Sequence, residues 1–232
     1  MIQNLQSDVV VKAVIFDLFG TLVKGFSAES YEEMLRRMSE ILDVSVNDFF
    51  QKWRAKFRVR VAGEYISLHD HLLEIGKELG KTFEFDLLNK ALESRKLYLK
   101  KALEPRSESA SVINLLQENK YLIGVLTDCS DPVPELWKAH CLAHQVDTVV
   151  FSCETGTKKP DKYLYDLVCT GLKLKNSECL YVGDGGSREL FGAFSAGLTP
   201  IRLDVNTFSY ERDTFQAAKA DSLTDISTFL CK

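Results

Sequence analysis

The order of strand-like and helix-like segments constrains the fold of this chain more than any other feature. A short apolar run rich in β-branched residues, from Val9 to Phe16, is typical of a buried parallel strand and ends at Asp17. Residues 28–103 then show helical periodicity with no strand between the helices, and after Pro105 strands and helices alternate. This order predicts a parallel sheet with helices on its faces and a helical insertion that follows the first strand in the sequence.

The insertion contains four stripes of apolar residues at helical spacing, each the pattern of an amphipathic helix. The stripes run over residues 31–42, 50–61, 68–79 and 88–103. Four such helices without intervening strands predict a small bundle. We therefore expect an α/β fold, in which a Rossmann-like parallel sheet built from residues 1–24 and 106–232 carries an inserted four-helix-bundle domain, residues 25–105.

Composition narrows the class of protein. The 232 residues include 29 basic and 33 acidic side chains, a net charge of −4, with 45% hydrophobic residues. These values are ordinary for a globular protein and exclude a collagen, a coiled coil or wholesale disorder. The acidic balance argues against nucleic acid as a partner, and no apolar run approaches the roughly 18 residues of a membrane span.

The compartment and the assembly are less constrained. The polar start has no signal-peptide pattern, and the six cysteines form no metal-binding pair spacing. We expect reduced thiols, a cytoplasmic location and no membrane partner. The sequence does not indicate an oligomeric state.

Polar residues follow three of the predicted strands. Asp17 ends the first strand, Thr127 and Asp128 end the second, and Asp184 ends a later one. Lys159 lies in a loop before Pro160. Because ligands of parallel sheets bind beyond the carboxyl ends of the strands, we expect these side chains to meet at one edge.

The charges of this group predict its chemistry. Asp17, Asp184 and Glu189 bring three negative charges against the one positive charge of Lys159, and crowded carboxylates raise their pKa values or recruit a cation. Magnesium accepts such carboxylates together with water and phosphate oxygens. Asp17 is a candidate nucleophile, whereas Thr127 and Lys159 are suited to holding an anion. The main-chain N–H groups of residues 18–21 could hold it too.

These residues carry a family resemblance. Asp17-Leu-Phe-Gly-Thr21, Thr127, Lys159-Pro-Asp161 and the segment from Gly183 to Glu189 resemble the four ordered motifs of the haloacid dehalogenase superfamily. The helical insertion behind the first motif is similar to the helical cap of one of its subclasses. The resemblance covers nearly the whole chain, and it implies a Rossmann-like core, an aspartate nucleophile, Mg²⁺ and hydrolysis of a small anionic, phosphorylated substrate.

The resemblance also implies a role for each motif position. Asp17, Thr127 and Lys159 are the expected catalytic residues. The expected substrate contacts are Phe19, Gly20, Thr127, Asp128 and Lys159. The expected metal ligands are Asp17, the backbone carbonyl of Phe19, Asp184 and Glu189.

One position departs from the phosphatases of the family. They usually carry a second aspartate two residues after the nucleophile as the general acid, and this chain has Phe19 there. Dehalogenases of the family tolerate an aromatic residue at that point, but they work without a metal and lack the Gly183-Asp184 pair. We expect a metal-dependent phosphatase-type hydrolase, with a metal-independent 2-haloacid dehalogenase and a non-catalytic binding module as the alternatives. Either a substrate with a good leaving group or an acid from the cap, with His69, Asp70 and His71 as candidates, would compensate for Phe19.

A run of basic residues lies in the second helical stripe: Lys52, Arg54, Lys56, Arg58 and Arg60. A solvated helix face is the interpretation that we favour. If one or two of these side chains turned towards the edge of the sheet, they would select an anionic substrate.

Overall fold

The computed structural model describes residues 10–65, 67–205 and 213–230. Its strands are β1 (Ala13–Phe16), β2 (Leu122–Thr127), β3 (Thr148–Phe151), β4 (Cys179–Gly183), β5 (Thr199–Leu203) and β6 (Ala218–Ala220). Its α-helices are α1 (Ala28–Ile41), α2 (Val46–Ala55), α3 (Phe57–Ala62), α4 (Leu68–Glu78), α5 (Phe85–Ala102), α6 (Ser109–Glu118), α7 (Val133–Lys138), α8 (Lys162–Gly171) and α9 (Glu189–Ala196).

The strands form one sheet in the order β3-β2-β1-β4-β5-β6, and every pair is parallel. This confirms the predicted α/β fold with a Rossmann-like parallel sheet. Strand β1 lies in the middle, where Phe16 is in register with Val125 of β2 and with Val182 of β4. The carboxyl ends of these three neighbouring strands therefore lie side by side.

Each face of the sheet has its own hydrophobic core. Along β1, Val14 and Phe16 belong to one core, whereas Ala13 and Ile15 belong to the other. All four side chains are fully buried. The unbroken apolar sequence of the strand follows from this position, because side chains alternate between two covered faces.

A third core fills the inserted helices. It includes Met34 and Met38 of α1, Trp53 of α2 and Leu72 of α4. The insertion leaves and re-enters the sheet domain through two adjacent segments, since Lys24 N–H donates to Glu104 O at 2.9 Å and Arg106 N–H to Leu22 O at 3.1 Å. The domain boundaries at 24/25 and 105/106 stay a prediction.

The second predicted helix of the insertion is divided in the structure. Helix α2 ends at Ala55 and α3 begins at Phe57, because Lys56 leaves helical geometry with φ −97° and ψ 15°. Its ammonium group binds Glu74 at 2.7 Å and Glu78 at 2.9 Å, both on α4. The described residues of the insertion thus form five α-helices, α1 to α5, and the four apolar stripes did not reveal the break at Lys56.

Smaller differences lie at element ends. The pair Asp131-Pro132 predicts a helix that Asp131 caps and that has Pro132 at its first position, whereas α7 begins at Val133 with Pro132 as its N-cap residue. The sequence predicts no strand after β5 and a last α-helix from Asp225 to Leu230, whereas the structure has strand β6 and a 3₁₀ helix over Leu223–Phe229. Three residues are too few to show strand periodicity, which explains why β6 was missed.

Among the described residues, none of the helices is both long enough and apolar enough to span a bilayer. Five cysteines in these ranges are free thiols, namely Cys129, Cys141, Cys153, Cys169 and Cys179. Cys231 lies outside the described residues.

Candidate active site

The ends of the three central strands carry the predicted site residues. Asp17 follows β1 directly, Thr127 is the last residue of β2, and Asp184 follows β4. Because β1 lies between the other two strands, Asp17 is at the centre of the group. The N–H of Asp17 donates to the carbonyl oxygen of Val182 at 2.8 Å, which continues the sheet pairing up to the carboxylate itself.

Lys159 links two of the predicted carboxylates. Its Nζ donates to Asp17 Oδ1 at 2.6 Å and to Glu189 Oε2 at 2.6 Å, and it lies 3.3 Å from the Tyr181 hydroxyl. The Lys159 residue is 2% exposed and Asp17 5%. The structure therefore brings the first, third and fourth sequence motifs into a buried ion-pair network.

A third carboxylate completes an acidic group. Oxygen atoms of Asp17, Asp184 and Glu189 all lie within 4.8 Å of one another. Hard oxygen ligands at this spacing suit Mg²⁺, which binds a few carboxylates together with water and phosphate oxygens. The donor set thus fits the expected cation. Glu189 is the least free of the three, because its two oxygens already accept hydrogen bonds from Lys159, Tyr181 and the N–H of Gly185.

Burial determines the protonation behaviour of this group. Desolvation raises the pKa of Asp17, an effect that Lys159 opposes and Asp184 reinforces. Desolvation likewise raises the pKa of Glu189 against the attraction of Lys159. For Lys159, burial disfavours the charged form, but Asp17 and Glu189 outweigh burial and raise its pKa well above its ordinary value. Excess negative charge without solvent favours the binding of a cation.

Thr127 and Asp128 carry buried oxygens that lack a partner among the described residues. These atoms are Thr127 Oγ1 and Asp128 Oδ2. Buried polar atoms normally have a hydrogen-bond partner, so the unpaired Thr127 hydroxyl at the end of β2 points to a ligand. Asp128 also positions the lysine, because its Oδ1 accepts the N–H of Lys159 at 3.0 Å.

The turn behind Asp17 uses part of its main chain internally. The N–H of Gly20 donates to Val23 O at 2.9 Å, and the N–H of Thr21 to Leu18 O at 3.3 Å. These two amides therefore donate within the turn. The expectation that they could bind an anion does not hold for them. Gly20 still lines the cavity, and the Thr21 hydroxyl lies 3.4 Å from Asp17 Oδ2.

The loop from Asp184 to Glu189 adopts an unusual backbone. Gly185, Ser187 and Arg188 all have positive φ, at 91°, 52° and 54°. Such conformations cost free energy in non-glycine residues and cluster at functional sites. A β-carbon on Gly183 would lie 2.2 Å from a Glu189 carboxylate oxygen, so only glycine allows this carboxylate to turn back beside the strand end.

A cavity of about 170 Å³ opens between the sheet edge and the inserted helices. Asp17, Phe19, Lys159, Asp184 and Glu189 line it from the sheet side. The Phe19 ring stacks on Phe26 with centroids 6.3 Å apart, and it provides no proton.

The acids proposed from the helices do not reach this cavity. His69 binds Asn89 at 2.8 Å, Asp70 lies at the exposed start of α4, and His71 is enclosed in the helical core. The hypothesis that one of them replaces the missing general acid is therefore wrong. Stripe periodicity does not show which helix faces meet the sheet edge, and this is why it failed.

The basic run is only in part a solvated face. Arg54 and Arg58 are exposed, whereas Lys52 and Lys56 pair with α4 carboxylates. Arg60 is 4% exposed and lines the cavity. The interpretation as a solvated helix face is therefore wrong for Arg60. The alternative interpretation, in which one side chain of the run turns towards the edge of the sheet, describes this residue.

Two contributors were missed in the sequence. The Tyr181 hydroxyl donates to Glu189 Oε2 at 2.8 Å from inside β4, where a tyrosine in an apolar strand gives no signal of its own. Arg95 lines the cavity from α5. Its signal was present, because it occupies a buried position in the helical spacing Leu88, Ala91, Arg95, Leu99 and Ala102.

The structure shows a parallel α/β core with an aspartate at the end of its central strand and an acidic group bridged by a lysine. Comparison with known proteins identifies the class of protein to which this arrangement belongs. The family model described as haloacid dehalogenase-like hydrolase matches residues 11–197. The chain belongs to this family. The resemblance that its four motifs indicate is thereby confirmed, and the protein is a hydrolase.

Individual relatives are distant. A glyceraldehyde 3-phosphate phosphatase of Methanopyrus kandleri is 26% identical over 207 residues, 84% of each chain. A ribulose-1,5-bisphosphate 5-phosphatase of Halopiger xanaduensis is 25% identical over 226 residues, 93% of this chain and 94% of that one. Among solved structures, the 2-haloacid dehalogenase of Pseudomonas syringae pv. Tomato DC3000 has a TM-score of 0.69 at 21% identity, with 95% and 98% of the two chains covered.

Proposed function

We propose that this hydrolase is a Mg²⁺-dependent phosphatase that acts on a small phosphorylated metabolite through Asp17. The observation that carries the proposal is the acidic group, with oxygens of Asp17, Asp184 and Glu189 within 4.8 Å of one another. The phosphatase names of the Methanopyrus and Halopiger relatives agree with it.

Charge separates this proposal from the dehalogenase alternative. With all three carboxylates ionised, the sheet edge has a net charge of −2 after Lys159 is counted, and a dehalogenase that works without a metal would leave that charge uncompensated. A divalent cation offsets that charge and makes the same site attractive to phosphate oxygens. When bound, Mg²⁺ would stabilise the charge of the transferring phosphoryl group, and Asp17, Asp184 and the expected Phe19 carbonyl would hold it, with Glu189 beside them.

The residues of the chain then have distinct tasks. Asp17 Oδ attacks phosphorus, the ester oxygen leaves, and a water molecule later cleaves the aspartyl phosphate to return the free carboxylate and inorganic phosphate. Lys159 and the unpaired Thr127 hydroxyl bind oxygens of the phosphoryl group. Asp128 holds the Lys159 main chain, and so fixes the direction from which the ammonium approaches.

Phe19 limits the substrates. Because the cavity side of this turn offers a ring and no acid, the leaving oxygen must depart without help from position 19. Acyl and aryl phosphates have leaving groups that need little protonation. We therefore expect them to be hydrolysed faster than simple alkyl phosphates.

A panel of phosphate esters, assayed with Mg²⁺ and with EDTA, tests the proposal. We expect phosphate release that EDTA stops and Mg²⁺ restores, and that Asp17→Asn abolishes. The matched control is Asp204→Asn, an exposed aspartate of the same domain, which should leave the rate unchanged. Chloride release from a 2-chloro acid in EDTA would establish the dehalogenase alternative instead. Mg²⁺ binding without turnover of any ester would favour the binding module.

A further inference from the structure

Two arginines face the cavity from the inserted helices. Arg60 of α3 is 4% exposed and Arg95 of α5 is 6% exposed, and both line the cavity that also contains Asp17. Arg60 donates to the carbonyl oxygen of Trp53 at 2.8 Å, whereas lysine and arginine are almost never buried to this degree unless they are paired with an opposite charge. The mechanism proposed above uses neither of them.

The hydrogen-bond partners of Arg95 are neutral, and the Asp131 carboxylate attracts its charge only from beyond ion-pair distance. Its guanidinium donates to the carbonyl oxygen of Asp131 and to Ser130 Oγ, the latter at 3.0 Å, whereas its buried Nε has no partner in the part of the chain that the structure describes. No carboxylate of the described residues lies within ion-pair distance of this group. A buried charge without a counter-ion is costly, since neutral acceptors do not replace an opposite charge.

The second arginine adds to this cost. The guanidinium of Arg60 lies 4.0 Å from the ring centroid of Trp53, and that of Arg95 lies 5.8 Å from the same centroid. Burial, followed by repulsion from Arg60, lowers the pKa of Arg95 to about 10. Two like charges beside one aromatic ring in a cavity are an arrangement that a bound anion would stabilise.

We propose that Arg95, with Arg60 beside it, binds a second anionic group of the substrate within the same cavity. This inference rests on the proposed phosphatase function and names its substrate class: a compact metabolite with a phosphate ester and a further carboxylate or phosphate. The planar guanidinium pairs with either anion through two parallel hydrogen bonds. The cavity volume of about 170 Å³ is below the roughly 300–1,000 Å³ of pockets for drug-sized ligands, which favours a small molecule.

Three esters with a three-carbon body test the substrate class. Glycerol 3-phosphate has no second anion, 3-phosphoglycerate adds a carboxylate, and glycerol 1,3-bisphosphate adds a phosphate. We expect kcat/KM for at least one ester with a second anionic group to exceed that for glycerol 3-phosphate by about tenfold or more. The ester preferred identifies the anion. Equal values for all three would overturn the proposal, whatever the behaviour of any variant.

Substitution then assigns the preference to Arg95. We expect Arg95→Met to reduce the ratio of kcat/KM between the preferred ester and glycerol 3-phosphate by roughly 10–100-fold, mainly through KM. Arg95→Lys should restore part of it, because it keeps the charge and loses the fork. Lys100→Met, an exposed lysine on the same helix, is the control and should keep the full ratio. A ratio unchanged in a folded Arg95→Met would contradict the assignment.

A binding measurement separates this inference from the phosphatase proposal. Calorimetric titration of Asp17→Asn with the same esters reports affinity without turnover. One result would separate the two: no ester is hydrolysed, but Asp17→Asn binds an ester with a second anionic group about tenfold more tightly than glycerol 3-phosphate, and adding Arg95→Met removes this difference. The phosphatase proposal would then fail, and the anion site would stand. If the esters are hydrolysed but show no such difference in affinity or kcat/KM, the phosphatase proposal stands and the anion site at Arg95 fails.

Discussion

At the scale of single residues, the site consists largely of charged side chains that are buried from solvent. Lys159 lies within 2.6 Å of both Asp17 and Glu189, and this contact between distant segments could be expected from the motifs. Tyr181 and Arg95 could not be expected in the same way, because their roles follow from the direction in which a strand or a helix presents them. A charged residue within an apolar helical stripe is the signal that would have revealed Arg95.

Phe19→Asp tests whether an acid is missing at the leaving group. The new carboxyl group would occupy the cavity wall beside Asp17 and could protonate the leaving oxygen. General acid catalysis contributes about 10²–10⁴-fold, so we expect a large gain in turnover of an alkyl phosphate and little gain for an aryl phosphate. Steady-state kinetics of both esters provide the measurement. Phe19→Asn, which has the same shape and no acidic proton, is the control, and an equal response of the two variants would refute the account.

His71 makes the stability of the protein depend on pH. It is fully buried between the rings of Trp53 and Tyr65, with both ring nitrogens unpaired among the described residues. Burial, together with Arg60, Lys56 and Arg95, lowers its pKa from 6.5 to about 2.

Below pH 6.5 the unfolded chain therefore binds a proton at this position that the folded chain does not. Stability falls with decreasing pH, by up to about 1.4 kcal/mol per pH unit from this residue. Urea unfolding between pH 6.5 and 4.5 should show a shallower decline for His71→Phe than for the unchanged protein. The exposed His144→Gln serves as the control with an unaltered slope, and parallel curves for His71→Phe would contradict the assignment.

At the scale of elements, the insertion is joined to the sheet domain through close backbone contacts. Gly63 ends α3 with φ +74°, and a β-carbon there would lie 1.9 Å from the carbonyl oxygen of Cys153, in the 3₁₀ helix Ser152–Glu154 that follows β3. Nearby, Ser152 Oγ donates to Val61 O at 2.6 Å. The helix that carries Arg60 is thus fixed to the sheet edge by its own C-terminus. Apolar periodicity predicted the helices but not this contact, which depends on how α3 turns away from α2 at Lys56.

Gly63→Ala should loosen this attachment. The substitution adds both left-handed backbone strain and a clash, and we expect a loss of about 2–3 kcal/mol in the free energy of unfolding. Gly80→Ala is the matched control, because Gly80 has φ +67° but open space around its α-carbon. It should lose only about 1 kcal/mol from strain alone. Urea denaturation of both variants measures the difference, and equal losses would show that the Cys153 contact is not tight.

At the scale of the whole molecule, the six-stranded parallel sheet positions the acidic residues and Lys159, and the inserted helices cover the cavity that these residues line. The alternation of strands and helices predicted the sheet, and the motif order predicted which strand ends carry charge. The sequence did not reveal the packing between the insertion and the sheet edge, because it depends on tertiary contacts such as those of Gly63 and Arg95 that have no period. This is why the charged residues at the strand ends were predictable and the cavity-lining residues of the helices were not.

Trapping of the covalent intermediate tests the central claim, attack by Asp17, most directly. Borohydride reduces an acyl phosphate to an alcohol, so a sample quenched with it during turnover of a phosphate ester in Mg²⁺ should contain homoserine at position 17, detected by peptide mass spectrometry. We expect this product only when ester and Mg²⁺ are both present. Homoserine at another position, or an unreduced Asp17 at every quench time in a sample that releases phosphate, would contradict the account.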